Sequence, residues 1–205
     1  MNAATASSGT DPPVRAFVAI EPGKAARTAL EALQDRLAAA APRRAVRWVR
    51  PAQCHLTLRF LGNVPPDRLP ELEQRLTETA AACPAFSLAL AGPGAFPTPA
   101  APRVLWVGLR GDLEALAALA RRVDTAAADL GDHQEEREFH PHLTLGRVVD
   151  RDARVARALS ELLACTRPPP PADWPVREFI LFRSELRPEG AVYSVLASFA
   201  LRPAA

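Results

Sequence analysis

Lysine is almost missing from this chain: Lys24 is the only one among 25 basic residues. Basic charge is therefore carried by arginine, and because Arg, Ala and Pro are abundant throughout, this is a chain-wide bias and not a local patch. With a formal net charge of +2 and a pI near 8.7, the chain lacks the clustered footprint that marks a nucleic-acid coat. Cysteine is scarce too. Cys54, Cys83 and Cys165 are odd in number, widely spaced and free of any CxxC pair, which suggests neither a disulfide framework nor a cysteine zinc site and fits a reducing, cytoplasmic setting. No run approaches the roughly 18 apolar residues that a bilayer span needs, and the N-terminus has neither a basic start nor an apolar stretch, so no membrane anchor or export signal is expected. Residues 1–14 are small and polar, too poor in apolar surface to offset ordering entropy, and are expected to form a disordered tail.

What remains, residues 15–203, is long enough to bury one core, and a single domain of two intimate lobes is expected. The apolar run over 16–20 predicts a strand. Ala25, Leu30, Leu33 and Leu37 then fall at helical spacing over 24–41. Further strands are predicted over 46–49, 55–61 and 86–90, with a helix over 67–82, and the Pro and Gly cluster from Gly92 to Pro102 predicts a loop. The alternation restarts with strand 104–109, helix 112–130, strand 142–148 and helix 152–164. After a stiff connector at Pro168 to Pro171, the runs 176–182 and 192–201 predict a terminal hairpin turning at Pro188, Glu189 and Gly190. The class is α+β, with two pseudo-symmetric lobes of antiparallel sheet, helices outside and a central cleft.

The tetrapeptide His-Leu-Thr-Leu occurs twice, at His55 and at His142. Strand side chains alternate faces, so His55, Thr57 and Arg59 are expected on one side, as are His142 and Thr144, with leucines packed behind them. Two imidazoles flanking one phosphate suit in-line displacement, which needs a base beside the entering water and an acid beside the departing oxygen. Thr57 and Thr144 would donate to non-bridging oxygens, and a guanidinium from Arg147 or Arg59 would balance their charge. By parity Arg147 does not share His142's face; it reaches the site only where the strand bulges or ends at Gly146.

The stretches RAFVAI, RWVRPAQCHLTLRFLG, FHPHLTLGR and FILFRSELRPEGAVYSVLASFAL resemble those of the 2H phosphoesterase superfamily, and within it the RNA 2',3'-cyclic phosphodiesterases, also called 2'-5' RNA ligases. The resemblance implies a bilobal fold and metal-independent opening of a 2',3'-cyclic phosphate to a 2'-phosphate, with no cofactor. It also implies that His55 protonates the leaving 3'-oxygen and that His142 activates water, with Thr57, Thr144 and Arg147 on the phosphate. RNA ends or nucleoside 2',3'-cyclic phosphates are the expected partners, and a monomer the expected state.

Other assignments stand beside this one. His140 shares a face with His142 and with His55 could complete a three-histidine zinc site, although no carboxylate in the motif supports it. Ligation through a 2'-5' linkage would use the same residues in reverse, and a silent RNA-end-binding module would keep them without turnover. His140 is expected at the cleft edge, His133 in solvent, and Cys54 as a packed thiol facing away from His55. Phe17 and Tyr193 are candidates to stack on a base, though strand aromatics more often pack in a core.

Overall fold

The computed structural model describes residues 11–133, 138–188 and 190–203. Most of the expected N-terminal tail therefore lies outside the described residues, as does Glu189 of the predicted turn, while Val14 already belongs to the first strand. Among the described residues nine strands and four α-helices follow in the order β1(Val14–Ile20), α1(Lys24–Ala40), β2(Val46–Trp48), β3(Leu56–Val64), α2(Leu69–Ala82), β4(Phe86–Thr98), β5(Ala101–Gly111), α3(Leu113–Ala127), β6(His142–Val148), α4(Ala153–Cys165), β7(Trp174–Val176), β8(Glu178–Arg187) and β9(Gly190–Ala200). Among the described residues no helix is long and apolar enough to cross a membrane.

The strands form one sheet in the order β7-β4-β5-β6-β3-β1-β8-β9, with β2 added on β6, and the strand pairs are antiparallel. Two lobes meet in its middle. Lobe one holds β3, β1, β8 and β9; lobe two holds β7, β4, β5, β6 and β2. The seam between them is narrow, with β3 meeting β6 at the single register pair Leu56 and Leu143, the first leucine of each tetrapeptide.

Alternation in β1 separates the two faces. Ala16, Val18 and Ile20 enter the main core with leucines of all four helices, whereas Phe17 and Ala19 join Ile180 and Phe182 in a small cluster on the opposite, cleft side. Helix α1 buries Ala26, Leu30, Leu33, Gln34 and Leu37, a stripe at helical spacing, and α4 is capped by Asp152, whose carboxylate accepts from the Arg154 amide at 2.7 Å.

The predicted loop over Gly92 to Pro102 is mostly strand instead. Both arms of the β4–β5 hairpin run through it, pairing as far as Thr98 with Ala101. Pro93 lacks an amide to donate, but the register shifts between Leu90 and Pro93, so the ladder accommodates it at an irregularity. Short β7 on the sheet edge, built around Pro175, has too little pattern to stand out in the sequence.

Candidate active site

Both tetrapeptides run along the middle of the sheet, and each histidine is fixed by the same local device. His55 Nδ1 bonds the Gln53 carbonyl at 2.9 Å, and His142 Nδ1 bonds the His140 carbonyl at 2.7 Å, in each case two residues back. A carbonyl oxygen can only accept, so Nδ1 carries a proton in both rings and Nε2 is the nitrogen that gains or loses one.

His55 lies in the apolar lining of lobe one. Its ring stacks on Phe17 with centroids 4.7 Å apart and meets the edge of Tyr193 at 5.2 Å. Burial there lowers its pKa from 6.5 to about 4; the Gln53 bond opposes that shift and the nearby charge of His142 adds to it. His142 is backed by Phe96 at 5.0 Å and Trp106 at 6.4 Å, and burial again lowers its pKa, with the His140 carbonyl opposing and the His140 ring adding. The two rings sense one another, so the cleft holds a pair and not two isolated imidazoles.

Each strand then breaks parity at the same place. In β3, Ala19 pairs with Thr57 and Val18 with Arg59, so Leu58 is an extra residue. In β6, Trp106 pairs with Thr144 and Leu105 with Gly146, so Leu145 is the extra residue. The closing leucine of each tetrapeptide is thus a β-bulge, and the side chains just beyond it change face, in β3 as far as a second register shift at Leu61. For lobe two this supplies what strict alternation withheld: the bulge brings Arg147 back onto the cleft side, exposed, where its charge acts on Tyr193 across the seam. Gly146 takes the core side, and a Cβ there would come within 2.7 Å of Val46 Cγ1 and 3.1 Å of the Arg47 carbonyl.

For lobe one the same slip removes a candidate. Arg59 does not join His55 and Thr57; it is 6% exposed on the helix side, where its guanidinium pairs with Asp124 of α3 and donates to the His133 carbonyl at 3.3 Å. Phe60 takes the cleft position instead, 44% exposed and 5.8 Å from the Phe17 ring. Phe60 is therefore the counterpart of Arg147, and Arg59 that of Gly146. Thr57 and Thr144 precede the bulges, remain half-buried on the cleft side, and have no hydrogen-bond partner for either hydroxyl among the described residues. Arg47 faces Arg147 directly in the β2–β6 ladder, both are exposed, and neither has a carboxylate partner among the described residues. Like charges at a cross-strand pair repel, which leaves the position short of an anion.

No group of three or more His, Cys, Asp or Glu among the described residues is placed to hold a metal ion. His140 lines lobe two against Phe96 and Trp106, at 5.1 and 5.3 Å.

Residues 22–187 match the family model of the 2'-5' RNA ligase superfamily. The RNA 2',3'-cyclic phosphodiesterase of Methanothermobacter thermautotrophicus is 33% identical over 92% of this chain and 99% of its own, and that of Thermus thermophilus 34% identical over 92% and 91%. The chain belongs to this family. Among solved structures, E. coli LigT complexed with 3'-AMP superimposes with a TM-score of 0.73 at 29% identity, covering 92% of this chain and 98% of that one. A Usb1 structure from Kluyveromyces marxianus, with a TM-score of 0.54 at 15% identity, shares the fold alone.

Within this family fold, sequence reasoning missed the aromatic backing of His142. Phe96 fell in the presumed loop, and Trp106 reaches the cleft because it alternates with buried Leu105 and Val107, a signal available only once β6 is known to lie beside β5. Tyr193 and Phe17, set apart in the sequence as strand aromatics, both touch His55.

Proposed function

We propose that the protein hydrolyses 2',3'-cyclic phosphate ends of RNA to 2'-phosphates without a metal ion, with His55 and His142 as the acid and base. The observation that carries this is the paired anchoring of the two Nδ1 atoms, which leaves one exchangeable ring nitrogen per lobe beside an unengaged threonine hydroxyl. The relatives named RNA 2',3'-cyclic phosphodiesterase, and the LigT structures complexed with phosphate and with 3'-AMP, support the substrate class.

In the reaction, His142 Nε2 takes a proton from water as the new O–P bond forms, and His55 Nε2–H gives its proton to the 3'-oxygen as the P–O3' bond breaks. Thr57 and Thr144 donate to the non-bridging oxygens, and Arg147 balances their growing charge. Burial works against the acid role, since a ring with a pKa of about 4 is neutral in the empty cleft. The phosphodiester anion reverses this, because a negative charge beside the imidazole favours its cationic form. Binding therefore creates the acid.

The test is incubation with a nucleoside 2',3'-cyclic phosphate and chromatographic identification of the product. A 2'-phosphate is expected. Recovery of the 3'-phosphate would reverse the assignment of the leaving oxygen, and binding without turnover would make the protein an end-binding module.

A further inference from the structure

Behind the β6 bulge, on the core side of the sheet, lies a polar side chain that the chemistry above does not use. Gln34 of α1 is 5% exposed, and its Nε2 donates to the Val49 carbonyl at 2.7 Å and to the Leu145 carbonyl at 2.9 Å. Leu145 is the extra residue of the bulge, and its carbonyl also accepts from the Val49 amide at 2.9 Å. Both amide protons of Gln34 are thus spent on holding β6 at its irregular residue to the end of β2. The Val49 carbonyl has no other donor among the described residues. A buried amide costs stability unless fully bonded, so a helix face otherwise made of leucine and alanine carries this one for those two carbonyls.

We propose that Gln34 is a positioning residue for Arg147: by pinning the Leu145 carbonyl it fixes the bulge that turns the guanidinium into the cleft. A bulge is defined by one residue. If β6 slipped back into regular pairing, the side chain at 147 would turn toward the core side, against Val46 and Trp48, and Gly146 would face the substrate. The proposal rests on Arg147 being a phosphate ligand, as the proposed function has it.

The experiment is a double-mutant cycle on turnover of a nucleoside 2',3'-cyclic phosphate, using Gln34→Met, Arg147→Ala and the pair. Gln34→Met is expected to lower kcat/KM by up to about a hundredfold, the order of loss when a reacting geometry moves by an ångström. In the Arg147→Ala background the same replacement is expected to change the rate by less than about twofold, because the residue it positions is gone. The pH limbs of Gln34→Met are expected to stay where they are, since the imidazoles hang from Gln53 and His140. Should Gln34→Met fail to fold, Gln34→Asn, which keeps an amide but draws it back by one methylene, carries the same cycle. Equal losses in both backgrounds, no loss in either, or displaced pH limbs overturn the proposal while leaving Arg147 in the site. If Arg147→Ala alone turns over normally, the phosphate role of Arg147 falls and this proposal with it.

Discussion

Cys54 and Thr144 are joined across the seam: the buried thiol of Cys54 donates to the Thr144 carbonyl at 3.3 Å, tying the residue before one histidine to the strand that carries the other. Burial pushes this thiol up to about 11, with a small opposing effect of Arg27. Only the thiolate is nucleophilic, so at pH 8 Cys54 is expected to resist alkylation in the folded protein while exposed Cys165 reacts. Mass spectrometry of the labelled protein checks this. Rapid labelling at Cys54 would mean that the seam opens freely.

Arg147→Lys is expected to impair turnover by about 2 kcal/mol, because an ammonium cannot make the two parallel bonds of a guanidinium. Arg59→Met is expected to do the opposite, lowering stability by about 1–2 kcal/mol while leaving turnover of the folded fraction intact, since its partner Asp124 is half-exposed and the pair is partly screened. Denaturant midpoints and steady-state kinetics on both variants separate the two arginines.

The pH behaviour follows from burial. Both histidines are shifted below 6.5, so at pH 7.5 both are neutral in the empty cleft. Binding a nucleoside 2'-phosphate is then expected to draw a proton onto His55, seen as a dependence of the calorimetric enthalpy on buffer ionisation, and His55→Ala is expected to remove it. Stability carries the same sign. Between pH 6.5 and about 4 the unfolded chain holds more protons at this site than the folded one, so His55 makes the fold less stable as pH falls through that window. The His55→Ala variant is expected to lose less stability than the parent on acidification to pH 4.5. An equal loss in both would place the ring in a more polar setting than its stacking on Phe17 indicates.

Roles within the pair are separable by leaving group. A p-nitrophenyl phosphodiester needs little protonation, so His55→Ala is expected to lose far less on it than on an alkoxide ester, where roughly 10²- to 10⁴-fold is expected. His142→Ala is expected to stay slow on both. Rescue of His142→Ala instead reverses the assignment.

Activity is expected to survive exhaustive chelation, because in the proposed mechanism the two histidines, two threonines and Arg147 supply proton transfer and charge balance between them. A loss restored by zinc would overturn the metal-free mechanism.

The duplicated tetrapeptide was legible because it is contiguous: spacing placed His55 with Thr57 and His142 with Thr144 on one face, and the structure keeps each pair there. The failure came one residue later. A leucine that bulges is indistinguishable in sequence from one that does not, because whether it is extra depends on the partner strand, and that partner is Val14–Ile20 for β3 but Ala101–Gly111 for β6. Arg59 was therefore assigned to the wrong face, while Arg147 needed the bulge that parity alone could not supply. The extended β4–β5 hairpin was hidden for a related reason, since proline and glycine mark loops on average and its irregular pairing absorbs them.

The interleaving of the lobes orders events during synthesis. Lobe two comes mainly from one continuous stretch, β4 to β7, whereas lobe one is closed from both sides, by β1 early in the chain and by the β8–β9 hairpin near its end. Phe182 and Tyr193, two of the three aromatic rings around His55, leave the ribosome after Phe17 and His55 themselves. A nascent chain halted before β8 would hold both histidines but lack two of the three rings that pack around His55. His55 acquires its full aromatic setting only once β8 and β9 have been made.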